Sequence, residues 1–220
     1  MKIKGVIFDM DGTITDSERH ARKLALEVFA NEGYQVSEEF HNRFIGANRA
    51  SAIKILSEKT KDDKISASIL NLFSDRLSES ISNNKIELKK GALEIINFLD
   101  SHNIPTVLAT SANIEKVKQS FKSNDMEVPF RNIITGDMVK NGKPDPEIFL
   151  KAARMINVDI KNCLIVEDSY NGIEAALASG AVTIMVPDLL KPVEKHIRLG
   201  AIIKNDLFEV LDFIRQYANL

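Results

Sequence analysis

The chain has 220 residues, 44% of them apolar and 27% charged, with a net charge of −2 at pH 7. That is the size and composition of a globular protein with one core, or a core plus a small inserted unit. It has no basic stripe of the kind nucleic-acid backbones need and no apolar stretch long enough to span a bilayer, which argues against nucleic-acid and membrane partners.

The first apolar run, residues 3–8, is short and β-branched and predicts a buried strand. Acids follow it too soon for a secretory leader. From 17 to 84 the pattern is helical, with no convincing strand. Leu24 with Val28 and Ala25 with Phe29 make i,i+4 pairs that Gly33 ends. Phe40 and Phe44 mark a second helix, and Ile53 and Leu56 a third. Ile65, Ile69, Phe73, Leu77 and Ile81 recur every four residues as one apolar stripe. Residues 17–84 are therefore expected to be a helical domain inserted after the first strand. Its linkers are expected at 13–17 and 82–89, and residues 1–16 and 85–220 form the core domain.

Further strands are predicted at 105–109, 132–135, 163–166 and 182–186, and helices at 91–99, 146–155, 172–178 and 207–214. Asp145 is expected to cap the helix that Pro146 opens. Cys163, the single cysteine, excludes an internal disulfide and reads as a small core hydrophobe. Near-continuous apolar strands alternating with helices predict an α/β fold with a doubly wound parallel sheet. The expected setting is soluble, reducing and cytoplasmic.

In such sheets ligands bind at the carboxyl ends of the strands, near the switch in strand order. Every predicted strand end here is polar. The first is followed by Asp9, Asp11 and Gly12, the second by Thr110, Ser111, Ala112 and Asn113. The loop after the third carries Lys143, Pro144 and Asp145, and the fourth leads into Glu167, Asp168 and Ser169. This grouping suggests phosphoryl transfer through an aspartyl-phosphate. A carboxylate nucleophile and a phosphate ester repel, and a divalent cation would remove that obstacle; Mg2+, with its preference for oxygen, fits. Asp9 and Asp168 would offer carboxylate oxygens. Lys143 would offset the acids and bind phosphate. The Thr110 hydroxyl and free backbone N–H groups over 110–112 would grip the phosphoryl oxygens. Asp11 would protonate the leaving alkoxide and later deprotonate water. Gly12 would let the backbone pass close to the phosphate.

These residues resemble the four motifs of the haloacid dehalogenase superfamily, in order and over nearly the whole chain. The matching stretches are residues 9–18, 142–149 and 167–172, with Thr110 between the first two, and the insert resembles the helical C1 cap of the β-phosphoglucomutase-like subgroup. The resemblance implies Asp9 as nucleophile and Asp11 as general acid/base. It implies Mg2+ held by Asp9 and Asp168 side chains and the Asp11 backbone carbonyl, with Glu167 binding directly or through water. It implies a phosphatase for a small phosphorylated metabolite such as a sugar phosphate, a sugar phosphomutase as the alternative, and a non-catalytic binding module as the remote one. A mutase of this subgroup carries a histidine on the first cap helix, where this chain has Ala21; His20 is one residue away, about 100° round the helix.

Other residues stay open on sequence alone. Arg49, at a break between helices, is either a phosphate or sugar ligand or half of a surface salt bridge. Thr110 is a helix cap, a phosphate ligand or both. Asp16 and Glu18 either anchor the hinge or face the substrate. Arg76 reads as surface, Ser169 and Asn171 as loop and cap residues, and His41, His102 and His196 as structural. A monomer is expected, since one chain supplies the whole site.

Overall fold

The computed structural model describes residues 2–83 and 85–218. The strand β1 (Gly5–Phe8) is followed by the helices α1 (Glu18–Asn31), α2 (Glu38–His41), α3 (Arg49–Thr60) and α4 (Asp63–Asn83). Then come α5 (Ala92–Ser101), β2 (Thr106–Ala109), α6 (Ile114–Lys122), β3 (Ile133–Ile134), α7 (Glu147–Met155) and β4 (Cys163–Glu167). The chain closes with α8 (Tyr170–Ser179), β5 (Val182–Met185), α9 (Glu194–Arg198), β6 (Ile202–Ile203) and α10 (Leu207–Tyr217). Asn84, the expected end of the insert, lies outside the described residues.

The strands form one parallel sheet in the order β3-β2-β1-β4-β5-β6. Ile7 sits between Val107 and Ile165, so β1 is the central strand from which the order runs both ways. The ligand crevice of a doubly wound sheet opens there, at the carboxyl end of β1. Alternating side chains supply two cores. Val6, Phe8, Leu108, Leu164 and Val166 pack on one face against α5, α6 and α10. Ile7, Val107, Cys163 and Ile165 pack on the other against α7 and α8. Because both faces are covered, the strands read as unbroken apolar runs.

Between β1 and β2, α1, α3 and α4 pack round a separate apolar cluster that includes Phe29, Leu56, Ile69 and Leu70. Ile65, the first member of the predicted stripe, is 43% exposed and lies outside that cluster. The two linkers run side by side: Asp16 N–H donates to Glu87 O, and Lys89 N–H to Ile14 O, both at 2.8 Å.

Sequence and structure differ at several ends. β1 starts at Gly5 rather than residue 3, where Ile3 instead bridges to Ala218. Helix α7 begins at Glu147 with Pro146 as the capping residue, although Asp145 Oδ1 still accepts the Glu147 N–H at 2.9 Å. β6 was not predicted, being two half-buried residues at the sheet edge. Helix α9 has no counterpart in the sequence reading, and α6, implied there by a Thr110 cap without bounds, is instead capped by Asn113 and marked by the buried pair Val117 and Phe121.

Candidate active site

The ends of β1, β2 and β4 converge on one cavity of about 280 Å3, whose far wall is the helical insert. Asp9, Asp11, Thr110, Ser111, Ala112, Asn113, Arg49 and Asp168 all line it. Lys143, only 1% exposed, reaches in from the loop before α7, and its Nζ donates to Asp9 Oδ1 at 2.5 Å and Glu167 Oε1 at 2.7 Å. Burial pushes the Asp9 carboxyl up to about 8, against the pull of the Lys143 ammonium. Burial likewise opposes the charge on Lys143, but the Asp9 and Glu167 carboxylates outweigh it and hold its proton more tightly than usual.

Glu167 has little capacity left. Its Oε1 accepts from Lys143, while Oε2 accepts from Asp168 N–H (2.8 Å), Ser169 N–H (2.7 Å) and Ser169 Oγ (2.9 Å). A carboxylate offers about four acceptor sites, so in this structure Glu167 holds Lys143 and the start of α8 through four hydrogen bonds. Gly172 makes room for it: a Cβ there would lie 1.7 Å from Glu167 Oε1.

Asp168 is 1% exposed; Thr13 Oγ1 donates to its Oδ1 at 3.4 Å, and its Oδ2 is buried without a hydrogen-bond partner. Burial, with the Glu167 and Asp9 carboxylates beside it, pushes its carboxyl well above the usual range. The described residues contain no ready-made cage of three His, Cys, Asp or Glu side chains. Two buried carboxyls whose ionisation is held back by burial and by negative neighbours, one with an unbonded oxygen, nevertheless suit a hard divalent cation that keeps most of its water. Gly12 has φ +81°, and a Cβ there would lie 2.3 Å from Asp168 Oδ2. Among the protein's own atoms, the close approach that requires glycine here is to Asp168.

Asp11 is held from two sides: Ser17 Oγ donates to its Oδ1 at 2.5 Å and Lys116 Nζ to its Oδ2 at 2.9 Å. Burial opposes the Lys116 charge, but Asp11 and Glu18 outweigh it and raise its affinity for the proton. Lys116 was missed; its signal is a basic residue one turn into the helix that follows β2. Asp16 and Glu18, left open by the sequence, divide. Asp16 lies in the hinge, 3.6 Å from Lys89 and 3.9 Å from Arg19, and Lys89 also bonds the buried Asp188 at 2.9 Å. Glu18 lines the cavity, and burial, then the Asp11 charge, push its carboxyl up to about 7.

Other expected ligands are partly engaged. Thr110 N–H donates to Ile134 O, and Ala112 N–H to Thr110 Oγ1, both at 3.0 Å, so two of the backbone donors expected to be free are already bonded. The cap of α6 is Asn113, not Thr110. Ser111 Oγ donates to Gly46 O in the insert at 3.3 Å. Arg49 borders the cavity, but its Nη2 donates to Ala67 O at 2.8 Å and to Asn71 Oδ1, both on α4. His20 bonds Ser80 on α4 at 2.7 Å, while Ala21 lines the cavity. His41 also lines the cavity, stacked on Phe44.

The family model for haloacid dehalogenase-like hydrolases matches residues 6–186. The chain belongs to that family. The phosphorylated carbohydrates phosphatase of Thermotoga maritima is 34% identical over 81% of this chain and 82% of its own length. Hexitol phosphatase A of Escherichia coli is 26% identical over 84% of each. A crystal structure of a hydrolase from Pseudomonas syringae superposes with a TM-score of 0.87 at 27% identity, covering 98% of this chain and 100% of that one. In this haloacid dehalogenase-like hydrolase, Asp9, Asp11 and Asp168 line one cavity with the helical insert across from them, and Lys143 is bonded to Asp9.

Proposed function

We propose that this hydrolase is a Mg2+-dependent phosphatase of a small phosphorylated metabolite, of the sugar-phosphate kind, and that residues 17–84 act as its cap. The observation that carries the reading is Asp9, buried at the cavity floor with Oδ1 fixed by Lys143 and its other oxygen left for attack. Asp9 and Asp168 side chains, with the Asp11 carbonyl, would hold the ion. When bound, Mg2+ offsets the mutual repulsion of carboxylate and phosphate and polarises the phosphoryl oxygens.

Asp9 attacks phosphorus, the ester P–O bond breaks, and the leaving alkoxide takes a proton from the Asp11 carboxyl. Water then gives a proton to the Asp11 carboxylate and attacks phosphorus. The bond to Asp9 breaks, releasing inorganic phosphate. Ser17 and Lys116 aim Asp11 for both proton transfers. Lys143 fixes the nucleophile, and the Ser111 and Asn113 region meets the phosphoryl group. The insert keeps bulk water out during the first transfer. The lone cysteine, buried and with its thiol pushed up to about 12 by burial, suits the cytoplasm.

The phosphatase reading is preferred to the mutase because on the first helix of the insert Ala21 lines the cavity where a mutase has a histidine, while His20 bonds Ser80. Incubation with β-glucose 1-phosphate, a trace of bisphosphate and Mg2+ tests this. Release of inorganic phosphate is expected; accumulation of glucose 6-phosphate without it would contradict the proposal.

A further inference from the structure

The insert closes the cavity with a wall that includes Phe44, Phe73, Leu77 and Ile81, and His41, the last residue of α2, stands in it. Resting on the phosphatase reading, we propose that His41 is a substrate-binding residue that hydrogen-bonds a hydroxyl on the alcohol part of the phosphate ester, so that the cavity favours polyhydroxy alcohols over alkyl ones.

Packing alone does not ask for an imidazole here. His41 is 4% exposed and stacks on Phe44 with the ring planes 27° apart, a place that a hydrocarbon ring fills as well. Its ring nitrogens are what set it apart. Among the described residues, His41 Nδ1 is buried with no hydrogen-bond partner, whereas buried polar groups in native proteins are nearly always paired. The ring borders the cavity, so a hydroxyl seated there can be the missing partner. The χ2 torsion of histidine is broad and two-fold, and a half-turn about it presents the other edge of the ring while keeping the stack on Phe44. The ring also suits a neutral ligand. Burial, then the Arg22 charge, lower its pKa to about 4, so at pH 7 one nitrogen donates and the other accepts. A hydroxyl both gives and takes a hydrogen bond and satisfies either tautomer; a methylene satisfies neither. The Ser74 and Ser78 side chains border the same cavity and offer uncharged partners to the rest of a polyol. Arg49 stands there too, with no acid paired to it among the described residues, and it can receive a hydroxyl or an anion. The distinction assigned to His41 is therefore between hydroxyl and hydrocarbon, not between charged and neutral alcohols.

The test uses the full chain with Mg2+ at pH 7 on two monoesters of primary alcohols of equal chain length, sorbitol 6-phosphate and n-hexyl phosphate. Leaving-group differences belong to the substrates and cancel when variants are compared by the ratio of kcat/KM for the two. His41→Phe should lower that ratio, sorbitol ester over hexyl ester, by about tenfold. His41→Asn, which keeps a donor and an acceptor, should hold it within about threefold of the unsubstituted chain. A second measurement leaves His41 in place. In 15N-histidine-labelled Asp9→Asn, which lacks the nucleophile, sorbitol 6-phosphate should shift the ring 15N signals of His41 saturably and n-hexyl phosphate should not. Equal slowing of both esters in His41→Phe, or ring signals that ignore the sorbitol ester or answer both esters alike, overturns the inference and leaves the phosphatase reading standing. No phosphate release from either ester counts against the phosphatase reading instead, and the titration alone then decides the inference.

Discussion

The two walls of the cavity are built on opposite plans. On the sheet side nearly every polar group is tied to another: Lys143 to Asp9 and Glu167, Lys116 and Ser17 to Asp11, Ser169 to Glu167. On the insert side, apolar side chains such as Phe44, Phe73 and Ile81 face the same space, with Glu18, His41, Arg49 and Ser78 among them. Pre-aimed charges in a water-poor site are what a transition state needs, whereas an apolar wall discriminates by shape and by what it leaves unpaired. On the proposed reading the comparison teaches a division of labour: the strand ends would hold the chemistry and the insert would choose the substrate.

Substitutions on the two walls should therefore fail differently. The largest effect is expected for Asp9→Asn, which removes the nucleophile while keeping its shape. Phosphate release should fall by at least about 10^3-fold with far-UV circular dichroism unchanged. A variant retaining a tenth of the rate would remove Asp9 from its role. Lys143→Ala comes next, because it leaves Asp9 and Glu167 buried without their shared cation. Urea denaturation should show a loss of about 3–5 kcal/mol; a loss near zero would mean the acids find other partners.

On the insert, His41 is 4% exposed, and burial, then the Arg22 charge, lower its pKa from 6.5 to about 4. The unfolded chain thus takes up this proton at a higher pH than the folded one. The contribution of neutral His41 is complete above about pH 6.5, shrinks as the pH falls, and is gone below about pH 4. The loss is on the order of 3 kcal/mol. His41→Phe should flatten that part of the stability profile, as read by thermal unfolding at a series of pH values. An unaltered profile would place the acid sensitivity elsewhere. The smallest effect belongs to Ser17→Ala, which removes one of two hydrogen bonds aiming Asp11. A fall of about tenfold in kcat with KM little changed is expected, and a rise in KM alone would instead place Ser17 in substrate binding.

Much of the sheet side was legible because its signals are local. The strands β1, β2 and β4 are short apolar runs with site residues at or directly after their ends, as with Phe8 before Asp9, Ala109 before Thr110 and Val166 before Glu167 and Asp168. What was not legible depends on placement in space. The sequence does not show that Glu167 spends four hydrogen bonds on Lys143 and the start of α8, or that Asp168 stands against Gly12. Arg49, open between a ligand and half of a surface salt bridge, sets Nη2 on Ala67 O and Asn71, partners that exist only once α3 packs on α4. Lys116 was overlooked because nothing in the sequence links it to Asp11, 105 residues away. β6 is two residues long, too short to show a period.

The central claim is that Asp9 carries the phosphoryl group in transit. The most direct test is acid quench of the enzyme during turnover of a phosphate-labelled monoester, followed by peptide mapping. The account predicts a label on the peptide containing Asp9 that hydroxylamine removes, as it does an acyl phosphate, and that Asp9→Asn lacks. Steady turnover with no such label, or a label mapped to another residue, would contradict it.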